Sequence, residues 1–253
     1  MAGKDNMLTD AEIRANLTAV QGRIATACER VGRDPGDVGL LLAAKTVPAD
    51  RVAVAVAAGA RLIGENRAQE LAEKDAVLSQ LPCERHFIGH LQTNKVNQVL
   101  RYVTCVQSVD RAELADRLQR RLEAIDATLD VLLQVNTSGE SSKFGVAPHH
   151  ALSLARDIAD RDRLRLRGLM TIGLPASDPE LIRPSYRRLR EAAQEIRAAA
   201  VPGVTMDVLS MGMSADLDVA VAEGATMVRV GSAVFGARSL PGDHERGPVG
   251  DEP

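Results

Sequence analysis

Residues 38–48 read VGLLLAAKTVP, and the fold follows from this stretch. The apolar run 38–44 is short, contains no polar residue and suits a strand buried on both faces. Such strands belong to parallel sheets with helices packed against them. Pro48 then opens a helix, because proline costs little in a first turn whose N–H groups have no partner inside the helix. That helix is expected to end near Gly59. Lys45 falls at the junction between strand and helix.

The same unit recurs along the chain. RLIG (61–64), HFIG (86–89), VTCVQ (103–107), DVLLQVN (130–136), LRLRGLM (164–170), VTMDVLS (204–210) and TMVRV (226–230) all read as short buried strands. With the first run they make eight, separated by helical patterns. Alternating strands and helices give a parallel sheet, and this number of units points to a single closed (β/α)8 TIM barrel over an open doubly wound sheet. Asp110 and Glu113 are expected to cap the helix after strand four, and Pro184 to open the sixth helix. Upstream lies one extra helix. Thr9 and Glu12 form a capping pattern, Ile13, Leu17, Val20, Ile24 and Val31 share a face, and Gly32 supplies a left-handed stop. The barrel and this helix are expected to occupy residues 1–238. The tail 239–253 is rich in Pro, Gly and charge and is expected to be disordered.

Composition removes several functions. The net charge is -3 and aromatics are 2%, without Trp, so neither a nucleic-acid surface nor a stacking platform is expected. No apolar run is long enough for a membrane span. Cys28, Cys83 and Cys105 are scattered, and the opening MAGKDNMLTD has no signal-peptide core, so a cytoplasmic protein with reduced thiols is expected. His86 and His90 have no third ligand nearby, so packing and hydrogen bonding are their expected roles and no metal site is predicted.

Barrel chemistry sits where strands end and helices begin. Lys45 ends strand one with apolar walls around its stem, which would favour a neutral amine able to form a Schiff base; the alternative is a strand-end lysine reaching solvent. Glu65 and Asn66 follow strand two, with Asn66 equally suited to capping a helix. Lys143 lies in the Ser/Gly-rich loop after strand five, as a loop cation or an anion-binding group. Ser214 follows strand seven and could serve as an N-cap. Arg229 lies inside strand eight, where a charge is costly unless paired. Gly231 and Ser232 follow, and a Gly-Ser turn at a helix start can offer backbone N–H groups to a phosphate.

The segments AAKTVP, GENRAQE, HFIGHLQTNK, VNTSGESSKFG, GLMTIG and LSMGMSADLDVAVAEGATMVRVGSAVFGAR, in that order over residues 41–238, resemble the pyridoxal phosphate (PLP) homeostasis protein family, related to the N-terminal barrel of alanine racemase. The resemblance implies a fold-type III PLP barrel with PLP held by Lys45. It implies a cofactor site of Lys45, Asn66, Met170, Ser210, Ser214, Arg229, Gly231 and Ser232. In it Arg229 faces the pyridine nitrogen, while Ser214, Gly231 and Ser232 hold the phosphate. It further implies a monomeric carrier or regulator of vitamin B6 supply, with apo PLP-dependent enzymes as partners and no catalytic residues. Two positions depart from the common pattern: Val47 stands where many relatives carry a second lysine, and Arg67 where many carry tyrosine. The runner-up is an amino-acid racemase using the same lysine, and a third reading is a PLP-independent enzyme for a phosphorylated metabolite. Racemisation needs an acid/base on each face of the substrate carbon. The second-domain tyrosine of alanine racemase has no expected counterpart here, since neither Tyr102 nor Tyr186 is expected at the barrel mouth.

Overall fold

The computed structural model describes residues 8–140, 142–174 and 178–236. The first helix, α1 (Asp10–Arg30), starts with the predicted capping box between Thr9 and Glu12. It buries Ile13, Leu17, Val20 and Ile24, and Gly32 takes the left-handed conformation just beyond its end. Val31 is the exception to the predicted stripe: it is the C-cap residue, turned out of the helical face and exposed.

Eight strands then close into one parallel barrel in sequence order. They are β1 (Gly39–Ala43), β2 (Leu62–Glu65), β3 (Glu84–Phe87), β4 (Cys105–Val109), β5 (Leu129–Gln134), β6 (Leu164–Met170), β7 (Val208–Ser210) and β8 (Met227–Val230). Between them run α2 (Ala49–Ala57), α3 (Ala68–Leu78), α4 (Val96–Val99), α5 (Ala112–Ala124), α6 (Ala151–Ala159), α7 (Pro179–Ala198) and α8 (Leu217–Ala222), with α9 (Ser232–Phe235) after β8. Each predicted run contributes a strand, with edges displaced by a few residues. The largest displacement is in the seventh, where the strand begins only at Val208.

Period-2 alternation sorts the strand residues onto two faces. Leu42, Ile63, Phe87, Val106, Val131, Leu133, Leu169, Leu209 and Val228 point outward into the shell shared with the helices. Leu41, Ile88 and Met227 pack in one inner layer, and Cys105, Leu132 and Met170 in another. The inside is therefore a filled core, and ligands are confined to the mouth. Glycine makes two close approaches possible. A Cβ at Gly168 would lie 1.9 Å from the Val208 carbonyl oxygen, and one at Gly89 would lie 2.2 Å from that of Asn66.

Two cap expectations fail. α5 has Arg111 at its N-cap with no side-chain cap, because the Asp110 carboxylate is engaged by Arg111 at 2.6 Å. α7 begins at Pro179, with Asp178 accepting from the Glu180 N–H at 2.9 Å, so Pro184 lies inside the helix. So early in the helix, proline removes a single i→i−4 bond. The expected tail 239–253 lies outside the described residues.

Candidate functional site

The mouth is defined by strand ends. Leu41 pairs with Arg229 and Ala43 with Gly64, which sets Lys45 just beyond the junction of β1, β2 and β8. Lys45 is half-buried, and its ammonium has no ion-pair or hydrogen-bond partner among the described residues. Thr46 follows with φ 63°, a left-handed conformation that a β-branched residue adopts only under constraint. Gly231 comes close to the same strand end, since a Cβ there would lie 3.0 Å from the Ala43 carbonyl oxygen. The loops after β8 and β1 thus meet.

Arg229 is buried and points inward, on the face of Met227. Its Nη1 donates to the Ser210 carbonyl at 2.7 Å and to Ser210 Oγ at 2.8 Å, and its Nη2 donates to the Thr171 carbonyl at 2.6 Å. These bonds leave part of the guanidinium's five-donor capacity unspent. Burial lowers its pKa from the usual arginine value, but a guanidinium stays protonated. The bond directions propagate from this fixed donor. Ser210 Oγ accepts from Arg229 and donates to Gln107 Oε1 at 2.7 Å. Gln107 Nε2 must then donate to His86 Nδ1, at 2.8 Å. One buried chain therefore crosses the barrel interior from β8 to β7, β4 and β3. Sequence reading missed Gln107, although its position two residues after inward-facing Cys105 was the available signal.

A second polar cluster lies on the outer side of the wall. Glu65 alternates with Gly64 and so faces α3, where Lys74 Nζ meets its Oε1 at 2.6 Å. The same ammonium donates to the Ala44 carbonyl at 2.7 Å and lies 3.7 Å from Glu70 Oε2. Burial, then the neighbouring Glu70 carboxylate, push the Glu65 pKa up to about 8, against the pull of Lys74. Glu65 is thus a buried acid rather than a turn residue. The Glu70 and Lys74 spacing of four on a helix face was its sequence signal. Beside this cluster a cavity of about 780 Å³ is lined by Val47, Arg67, Glu70 and Lys74 among others, so both departures from the family pattern border one space.

The remaining expected residues end up as follows. Met170 and Ser210 are paired across β6 and β7 and are fully buried. Asn66 is half-buried after β2, and Arg67, not Asn66, is the N-cap of α3. Ser214 lies in the loop after β7, its carbonyl held by Arg23 of α1, and the N-cap of α8 is Asp216. Gly231 is the N-cap of α9, whose first residue is exposed Ser232. Lys143 ties two loops together, donating to the Gly173 carbonyl at 3.1 Å and lying 3.4 Å from Glu140. His90 stacks on Phe144 with ring centroids 3.7 Å apart. No group of His, Cys, Asp and Glu suited to a metal occurs among the described residues.

One expectation about position is corrected. Tyr186 reaches the C-terminal end of the barrel from α7. Its hydroxyl donates to Asp216 at 3.0 Å, and a Cβ at Gly173 would lie 2.9 Å from it. It is fully buried, and burial followed by Asp216 raises its pKa well above the usual phenol value. It braces the loops after β6 and β7 from beneath.

Comparison with known proteins identifies the family. The profile of the family described as "Alanine racemase, N-terminal domain" matches residues 15–239. A pyridoxal phosphate homeostasis protein of Pseudomonas aeruginosa is 45% identical over 226 residues, which cover 89% of this chain and 96% of that one. The crystal structure of a protein of unknown function from Bifidobacterium adolescentis is 41% identical with a TM-score of 0.86, covering 89% of this chain and 95% of that one. PipY of Synechococcus elongatus, solved with PLP bound, is 32% identical with a TM-score of 0.78, covering 88% of this chain and 100% of that one. This chain belongs to the pyridoxal phosphate homeostasis protein family, and with it to the family of the alanine racemase N-terminal domain.

Proposed function

We propose that this protein binds PLP through Lys45 and holds it for supply to, or buffering of, PLP-dependent enzymes, without a catalytic turnover of its own. One observation carries the reading: a half-buried lysine with no ionic partner among the described residues follows β1, and the adjacent strand β8 carries a buried guanidinium with unspent donors. The residues suit the group in three ways. Lys45 offers an amine to the aldehyde. Arg229 offers N–H donors and no base, so it would keep the pyridine nitrogen unprotonated and weaken the ring as an electron sink. Gly231, held close to Ala43, opens a short helix whose first N–H groups have no partner inside the helix and so suit a phosphate, with Ser214 and Ser232 at hand. Asn66, Met170 and Ser210 would complete the wall.

PLP supplies an aldehyde carbon that condenses with a primary amine. This chain's residues present the amine, fix the guanidinium and shape the mouth. The racemase alternative needs a second acid/base facing the substrate carbon. Tyr186 is not free for that role, because it is fully buried and its proton is committed to Asp216.

The test is the visible spectrum of the purified protein. The wild type should absorb as a lysine adduct, and borohydride should fix the label on Lys45. Lys45→Ala should lose both signals, while pyridoxal lacking the phosphate should bind far more weakly than PLP. An unchanged spectrum in Lys45→Ala overturns the assignment. Amino-acid turnover by the holo-protein at rates on the order of 1 per second would favour the racemase.

A further inference from the structure

Lys45 must keep its reacting nitrogen unengaged, so whatever fixes its position has to act elsewhere. The hydrogen bonds around it show where. The peptide group before Lys45 is held through the Ala44 carbonyl, which accepts from Lys74 Nζ at 2.7 Å. The peptide group after it is held through the Thr46 N–H, which donates to Glu70 Oε2 at 3.2 Å. Lys74 also meets Glu65 at 2.6 Å and Glu70 at 3.7 Å. The three side chains are 7%, 1% and 10% exposed, so water contributes little to their support.

We propose that Glu65, Glu70 and Lys74 form a positioning clamp that grips both peptide groups flanking Lys45 and so sets where its amine meets the cofactor aldehyde. This rests on the assignment of Lys45 above. Thr46 gives independent support. Its left-handed φ of 63° is costly for a β-branched residue and persists only where surrounding contacts over-determine it. Its N–H bond to Glu70 is such a contact. Charge also fits: burial and the neighbouring Glu70 push the Glu65 pKa up to about 8, so a proton held on Glu65 spares this buried cluster a further negative charge at neutral pH. The clamp would act on the main chain around Lys45 and not on the cofactor. In the step it serves, Lys45 Nζ attacks the aldehyde carbon, C=N replaces C=O, and the oxygen leaves as water with the two amine protons.

The experiment compares PLP with pyridoxine 5'-phosphate, which has the same ring and phosphate but an alcohol in place of the aldehyde. Affinities for both are measured on wild type, Lys74→Met, Glu70→Leu and Glu70→Gln. Amide exchange at Thr46 is followed in the PLP-free proteins. Removing a buried charge-assisted hydrogen bond should cut the preference for PLP over the alcohol about tenfold or more in Lys74→Met and Glu70→Leu. Pyridoxine phosphate affinity should change little, and Thr46 exchange should accelerate by a similar factor. Glu70→Gln still accepts from the Thr46 N–H, so it should fall between wild type and Glu70→Leu.

The clamp is overturned if Lys74→Met and Glu70→Leu keep the wild-type preference. It is overturned equally if both ligands weaken together, which would mark the cluster as mere structural support. If Lys74→Met does not fold, the Glu70 pair decides alone. Failure of the underlying assignment is separate and visible first, as a wild type that yields no borohydride-fixed label on Lys45.

Discussion

Around Lys45 the supporting groups are ionisable, lie outside the barrel wall and grip backbone. Around Arg229 they are neutral, lie inside the barrel and grip the side chain itself. Lys74 and Glu70 hold the peptides on either side of Lys45, whereas Ser210 and Thr171 take the guanidinium's own N–H groups. The difference follows from what each group has to do. On the proposed assignment, Lys45 must keep its nitrogen free for a covalent bond, so it would be aimed through the main chain. A guanidinium never changes charge, so its donors can be spent directly on fixed acceptors. The two supports also answer pH in opposite senses, because the sensitive member is an acid in one and a histidine in the other.

The largest effect is expected on the Arg229 side from Gly168→Ala. The new Cβ would lie 1.9 Å from the Val208 carbonyl oxygen and 2.9 Å from its nitrogen. Neither atom belongs to a flexible side chain, so β6 and β7 must part. That separation would break the pairing of Met170 with Ser210 and the bond from the Thr171 N–H to the Ser210 carbonyl, which align both carbonyls that Arg229 uses. A loss of more than about 4 kcal/mol, or no soluble protein, is expected from overpacking against rigid backbone. An unfolding free energy within about 1 kcal/mol of wild type, from denaturation curves, would show that the strands can yield.

On the Lys45 side the expected effect is smaller and depends on pH. The Glu65 pKa is raised in the fold to about 8, chiefly by burial. The folded state therefore keeps a proton that the unfolded chain has already lost. The associated stability is fully present below the ordinary carboxylate range and is lost as pH rises through about 8. Compared with Glu65→Gln, which cannot ionise, the wild type should lose on the order of 3 kcal/mol between about pH 5 and pH 9. Unfolding curves of both proteins across that range give the difference directly. A difference that stays flat would mean Glu65 is ionised throughout and the cluster carries a net negative charge.

Much of this contrast was legible in the sequence, though unevenly. The alternation of apolar runs with helical stretches identified the barrel, because strands covered on both faces leave few other packings. Lys45 was legible as a lysine where an apolar strand meets a helix. The supporting groups were harder to see. Glu65 reads as a polar turn residue until its alternation with Gly64 sends it outward against α3. Lys74 is thirty positions from Ala44, and no local pattern links the two. Asp110 looked like a helix cap, but local capping rules could not foresee that Arg111 engages it. Tyr186 was misplaced for a related reason, since a helix residue can reach the mouth from beneath only if the loops above it come close. Gly173 allows that approach. Local signals find strands and the polar groups at their ends, whereas the groups that hold them are chosen by tertiary proximity.

The smallest expected effect runs the other way in pH and concerns His86. Burial lowers its pKa, opposed by Glu84 and Asp130, so the fold favours the neutral ring. The stability this gives is present above the ordinary histidine pKa and is lost as pH falls through the depressed value. The hydrogen-bond chain adds a specific consequence. Neutral His86 accepts at Nδ1 from Gln107 Nε2, and Gln107 Oε1 accepts from Ser210 Oγ, which in turn accepts from Arg229. Once protonated, His86 carries an N–H on both ring nitrogens and has no acceptor left. Gln107 must then turn its oxygen toward His86 and its amide N–H groups toward Ser210. Ser210 Oγ would receive two donors and lose the acceptor for its own proton, so acid should loosen Arg229 from the far side of the barrel. His86→Asn removes the titration. The stability of wild type relative to that variant should decline by about 1 kcal/mol per pH unit as pH falls from the ordinary histidine pKa to the depressed folded-state value, and level off below it. NMR titration of the His86 ring, read alongside the Arg229 side-chain N–H signals, should show both responding at one midpoint. Arg229 signals that stay fixed while His86 titrates would break the chain at Gln107 and leave the two groups independent.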